Sequence, residues 1–190
     1  MPHAEPLRLH IGGEAVKEGW KIVNIKPLPG VDFLGSATDL SVFQDGTVDA
    51  IYGSHIYEHL DYNSEVLKAF GEAFRVLKPG GQFLVAVPDL EVLARLFVEP
   101  GLTLQDKFHV MRMIYGGQTD PWDYHKVGYS ADILAQFMAS AGFEGMERVE
   151  NFGLFSDTST LAFFNVPISL NVRGYKPGAA PPAGIMNFGS

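Results

Sequence analysis

The apolar positions of this chain repeat with two different periods. Short runs at Leu7–Ile11, Lys21–Ile25, Val31–Gly35, Val48–Tyr52 and Gln82–Val87 are apolar throughout or alternate, and turn formers border them. Runs of that length and setting predict strands. Between the last two runs, Val66, Leu67, Phe70, Phe74 and Leu77 recur at helical spacing, with Glu65/Lys68 and Glu72/Arg75 on the wet side. Asn63 is placed to cap that helix, and Lys78-Pro79-Gly80-Gly81 to stop it and turn the chain. A strand, a helix and a strand, with both strands apolar on both faces, predict a parallel β-α-β unit. Open parallel sheets bind ligands beyond the carboxyl ends of their strands. Those ends here are Gly53-Ser54-His55 and Pro88-Asp89.

The same patterns extend to both sides of this unit. Asp89 caps a helix running to about Phe97, and Leu104–Ile114 reads as a second helix with Phe108, Met111 and Leu104 facing inward. Ser130 opens a third, whose stripe is Ile133, Leu134, Phe137, Met138 and Ala141, and Gly142 ends it. Glu147–Phe152 and Ile168–Tyr175 read as closing strands, with Gly153–Pro167 between them as a flap. Gly116–Tyr129 is a turn-rich loop carrying Asp120, Trp122, Tyr124 and His125, the composition of a functional lid. Gly12–Trp20 and the Lys26–Gly30 link are too short for the dozen or so residues of a parallel crossover. The first half of the sheet is thus stripped of helices on one face. Residues 1–176 form one α/β domain, and 177–190, rich in Pro, Gly and Ala, a mobile tail.

Composition narrows the function classes. At 46% hydrophobic, a chain of 190 residues can bury a sizeable core. It contains no apolar run of membrane-spanning length and no secretory pattern at its start, so no membrane partner is expected. The absence of cysteine excludes disulfides and thiolate chemistry and fits the cytoplasm. A net charge of −8, with Lys and Arg scattered, argues against nucleic acid and for a small-molecule substrate. Homodimerisation stays open.

The strand V-D-A-I-Y, the S-H-I-Y-E-H-L after it and the helix ending R-V-L-K-P-G-G-Q-F resemble the second half of a class I S-adenosylmethionine-dependent methyltransferase of type 11. The likeness spans roughly residues 7–176 and narrows to a subgroup of small members that share the trimmed first half. It implies a Rossmann-like three-layer sandwich around a mostly parallel seven-stranded sheet with an antiparallel last strand. It also implies S-adenosylmethionine as cofactor, held by Gly12, Gly13 and Glu14 after strand one, by Asp39 and Leu40 near the adenine, and by Ser54 and His55 near the sulfonium.

Two positions depart from the family pattern. Glu14 stands where the second glycine belongs, with His10 in place of the preceding acid. Lys26 occupies the strand-two position of the ribose-binding acid, and an ammonium group has no acceptor to offer. Three readings follow. Glu14 reaches the ribose or the methionine amine from a shifted turn; Asp32 substitutes for the missing acid; or the site no longer binds the cofactor well.

Methyl transfer is an in-line displacement that needs a base only when the acceptor carries a hydroxyl or a protonated amine. His55, then His125, are the candidate bases, with Asp120, Trp122 and Tyr124 positioning a small-molecule or sugar-like acceptor. A non-catalytic binding protein on the same fold is the second reading. His55-Ile56-Tyr57-Glu58-His59 also spells a zinc-hydrolase pattern, the third reading. The resemblance sets that one aside, so no metal ligand is assigned, and His59 reads as a packed structural histidine.

Overall fold

The computed structural model describes residues 5–178; residues 1–4, and most of the expected tail from residue 179 onward, lie outside the described residues. The strands are β1 (Arg8–Ile11), β2 (Lys21–Asn24), β3 (Phe33–Leu34), β4 (Val48–Ser54), β5 (Leu77–Pro88), β6 (Glu144–Val149), β7 (Ala162–Phe163), β8 (Val166–Pro167) and β9 (Ser169–Tyr175). The helices are α1 (Glu65–Val76), α2 (Leu90–Val98), α3 (Leu104–Tyr115) and α4 (Ala131–Ser140). Seven strands form one sheet in the order β3-β2-β1-β4-β5-β9-β6, and β7 and β8 pair as a separate hairpin. Within the sheet only β9 runs against its neighbours β5 and β6, so it is parallel but for its last strand, as expected.

Period-two alternation sorts the sheet side chains to two faces. Leu9, Ile11, Ile51, Phe83, Val85 and Val87 pack with α1 and α4 in the main core. Phe83 sits at its centre, stacked on Phe143 and edge-on to Tyr57 and Phe70. Tyr52, Ala50, Leu84 and Ala86 face the other way, into a second cluster. No described helix covers that cluster. Trp20 from the short first link, and Phe152, Leu154 and Phe155 from the segment after β6, close it instead. The expected flap is therefore a structural layer: it replaces a missing crossover helix, because a parallel sheet must be covered on both faces.

Several local expectations are corrected. Asp61, not Asn63, organises the start of α1, accepting from the Asn63 and Ser64 amides. The Lys78–Gly81 turn lies inside β5, where the register against β4 shifts. Strand β6 begins at Glu144 and ends at Val149, three residues ahead of the expected run, so Phe152 is free to join the second cluster. Leu104 and Phe108 are 87% and 56% exposed, and α3 buries Val110 instead. Ser130 opens α4 without bonding its amides and donates to Asp132. Asp89 does cap α2, accepting from Glu91 N and Val92 N, and it is fully buried with Arg148 2.7 Å away. Among the described residues, no helix is long and apolar enough to cross a membrane.

Phe83 is fully buried against three other aromatics, so Phe83→Ala is expected to cost about 3–5 kcal/mol. Denaturant unfolding of the two proteins measures this directly.

Candidate functional site

The carboxyl ends of β1, β2 and β4 open into a cleft of about 680 Å³, within the range of small-molecule sites. Its floor is the Gly12-Gly13 turn. Gly12 has φ +70°, a left-handed value, and a Cβ there would lie 1.9 Å from Ile56 Cδ1. A Cβ on Gly13 would lie 2.3 Å from His10 Nδ1. Both glycines are thus required by close packing inside the protein. Asn24, buried at the end of β2, fixes the turn by donating Nδ2 to the Gly13 carbonyl at 3.1 Å and accepting from the Lys26 amide at 2.9 Å.

His10 occupies the position expected for an acid and forms part of the cleft wall. Its ring lies 4.0 Å from that of Phe155 and 5.0 Å from that of Tyr52, centroid to centroid. Its Nδ1 has no hydrogen-bond partner among the described residues. The segment 155–158 forms the far wall. It is pinned by the Tyr52 hydroxyl, which donates to Asp157 at 2.8 Å, and by a 3.1 Å bond between Ser54 and Thr158. Nothing in the residue pattern distinguished Asn24 as part of a site, whereas Phe155 and Asp157 belong to the Gly153–Pro167 segment expected as a flap.

Lys26 and Glu14 do not fill the cleft. Glu14 is exposed at its edge. The Lys26 ammonium reaches across to Asp120 of the lid at 2.9 Å, and Asp120 also accepts from the Trp122 amide at 2.7 Å. The lid thus delivers a carboxylate to the end of β2. Asp32 cannot play that part, since it bonds Lys21 Nζ and the Ile22 amide and does not line the cleft. Asp39 and Leu40 are also misplaced by the sequence expectation. Asp39 accepts from the Ser41 amide, and Leu40 is buried in the main core, whereas Gly35–Thr38 line the cleft. Trp122 and Tyr124 do line it, both substantially exposed.

Of the two expected bases His55 lines the cleft and His125 does not, and the ring nitrogens of both face inward. His55 stands at the end of β4 with a left-handed φ of 53°. Its Nε2 lies 2.9 Å from Ser169 Oγ and its Nδ1 3.5 Å from Glu58 Oε1. His125 bonds the Ile114 carbonyl through Nδ1, aims Nε2 at Glu58 Oε1 3.9 Å away, and does not line the cleft. Burial pushes both histidines down to about 4 and pushes the Glu58 carboxyl up to about 8. Tyr57–His59 is a single 3-10 turn, so His55 and His59 do not share the helical face that the zinc-hydrolase spelling requires.

Five carboxylates line the cleft (Glu14, Glu65, Asp120, Asp123 and Asp157) against two ammonium groups, Lys26 and Lys126. Both lysines are already paired, Lys26 with Asp120 and Lys126 with Glu65 at 2.9 Å. The local field therefore favours a cationic ligand.

Burial lowers the His10 pKa to about 4, with the Asp157 carboxylate opposing in part. In the unfolded chain it returns to 6.5. The unfolded state then binds more protons between those values, so stability falls as pH drops from 6.5 towards 4, by on the order of 3 kcal/mol for this group. His10→Phe keeps a ring between Tyr52 and Phe155, and the stability difference between parent and variant should change by that amount across the window. Urea unfolding at a series of pH values measures it; parallel curves would remove His10 from the account.

Known proteins place this geometry. A family model described as a methyltransferase domain, type 11, matches residues 8–85, which carry β1 to the middle of β5 and most of the cleft floor. Among solved structures, a SAM-dependent methyltransferase of Thermotoga maritima, described as a possible histamine N-methyltransferase, is 21% identical with a TM-score of 0.57. The match covers 92% of this chain and 84% of that one. A SAM-dependent methyltransferase of Archaeoglobus fulgidus has a TM-score of 0.58 at 16% identity, covering 90% and 86% of the two chains. The 1,6-didemethyltoxoflavin-N1-methyltransferase of Burkholderia thailandensis, solved with its substrate and S-adenosylhomocysteine, has a TM-score of 0.55 at 13% identity, covering 91% and 72%. No curated protein matches the chain. Residues 8–85 thus match a methyltransferase-domain model, and the elements that follow complete a fold shared with solved S-adenosylmethionine-dependent methyltransferases.

Proposed function

We propose that the protein transfers a methyl group from S-adenosylmethionine to a small-molecule acceptor in the cytoplasm. The observation that carries this is the open, acid-lined cleft at the carboxyl ends of β1, β2 and β4, within the segment that matches the methyltransferase domain. Its acidity suits a sulfonium cation, and its volume admits a nucleoside with an amino acid tail. The Gly12-Gly13 backbone would lie against the methionine portion, Asp120 would accept from the ribose hydroxyls in place of an acid on β2, and Gly35–Thr38 would flank the adenine. When bound, the cofactor supplies an electrophilic methyl group.

The chain's own residues then align the acceptor and exclude water. Trp122 and Tyr124 offer aromatic surface at the cleft mouth, against which a flat or apolar acceptor can stack. His55 and His125 are engaged with Glu58, so the reading favours an acceptor that arrives with its lone pair free over a sugar hydroxyl. A hydroxyl acceptor would need Glu14 or His59 as base.

Calorimetric titration with S-adenosylhomocysteine tests the cofactor assignment, and absence of heat at millimolar ligand would end it. Asp120→Ala should weaken binding roughly ten- to hundredfold, the worth of hydrogen bonds to a charged group. An unchanged affinity would return the ribose to Glu14.

A further inference from the structure

One corner of the molecule is built from hydrogen-bond acceptors facing one another. Glu58 is 1% exposed, and neither of its carboxylate oxygens has a hydrogen-bond partner among the described residues. The groups around it have no proton to give. The Ser169 hydroxyl donates to the Thr158 carbonyl at 2.7 Å, so it can only accept from His55 Nε2 at 2.9 Å. His55 Nε2 therefore holds the ring proton, and Nδ1 presents a lone pair to Glu58 Oε1 at 3.5 Å. His125 Nδ1 faces the Ile114 carbonyl at 3.2 Å, which only accepts, so Nε2 of the neutral ring presents a second lone pair to Glu58 Oε1 at 3.9 Å. His59 is fixed in the same way by the Tyr124 carbonyl, 3.2 Å from its Nδ1. One donor atom each from Glu58, His59 and His125 lies within 4.8 Å of the others.

A buried carboxylate ringed by imidazole lone pairs is repulsive unless a proton or a metal cation joins it. Imidazoles whose other ring nitrogen donates to a main-chain carbonyl are oriented as metal ligands are. We propose that Glu58, His59 and His125 bind a divalent transition-metal ion, zinc being the ion suited to two imidazoles and a carboxylate with water in the remaining position. Zinc bonds of about 2.0–2.1 Å in tetrahedral geometry place donor atoms about 3.3 Å apart, so the 3.9 Å between His125 Nε2 and Glu58 Oε1 must shorten by a fraction of an ångström. The ion would tie the lid to the turn after β4. Main-chain bonds already join them there: the Glu58 carbonyl accepts from the Lys126 and Val127 amides at 2.7 and 3.2 Å. The site shares only His59 with the cleft, since Glu58 and His125 do not line it, and zinc binding is tested apart from the cofactor reading.

The test strips the full chain with a chelator and titrates it with zinc chloride by calorimetry, alongside thermal unfolding with and without zinc. Glu58→Gln is isosteric and its amide can donate to the imidazole lone pairs, so it should fold where a larger change does not. The expected result is one equivalent of zinc bound with a dissociation constant below about 1 μM. The midpoint of unfolding should rise with zinc, and affinity should fall at least tenfold in Glu58→Gln and in His125→Ala. The exposed His109, replaced by alanine, should bind zinc as the parent does. Absence of saturable zinc binding by the parent, or parental affinity in both site variants, overturns the proposal, whatever S-adenosylhomocysteine does in the same cell.

Discussion

A parallel sheet has two apolar faces, and both must be kept from water. In this chain one face is covered in the ordinary way by α1 and α4, which lie in connections long enough to carry a helix. The other face has lost its crossover helices, because the links between β1, β2 and β3 are short. The deficit is met from the far end of the chain. Phe152 and Phe155 reach back to Tyr52 and His10 and, with Trp20, seal the exposed rows of β1, β4 and β5. The same segment continues into Asp157 and Thr158, which wall the cleft. Core and site are therefore made by one stretch, and loosening one loosens the other.

The cleft has an unusual division of labour as a result. Its floor is rigid, made of a glycine turn held by Asn24 and wedged between Ile56 and His10. Its acid at the end of β2 does not come from β2 at all but from the lid, through the pair Lys26–Asp120. An ammonium at that position is thereby turned from a defect into an anchor. A pair this open to solvent contributes little to stability, so its consequence lies in where it holds the carboxylate.

The inward histidines carry a second lesson. Around a general base one expects a proton acceptor aimed at the reacting group. Here the rings of His55 and His125 converge on a carboxylate that no described donor reaches. That arrangement is costly in a protein interior, and it joins the post-β4 turn to the lid at the point where the cleft begins.

The sequence by itself determined the layered α/β fold, because the alternation between strand and helix periods is local and the long apolar runs admit only a doubly covered sheet. It also determined the place of the site, since parallel strands put their carboxyl ends on one side, and it flagged Gly12, Gly13, Ser54, Trp122 and Tyr124, all of which reach the cleft. Tertiary structure decided the rest. Asp39 and Leu40 turned away because a two-residue β3 and its following turn set their direction, which no residue pattern encodes. His55 lines the cleft as expected, but its ring nitrogens, like those of His125, are engaged away from it because Glu58 lies between the two rings, a meeting of segments nearly seventy residues apart. The 150s segment was legible as a flap beside the site but not as a cover for the sheet: a loop becomes a layer only when a distant face of the sheet lacks its own cover.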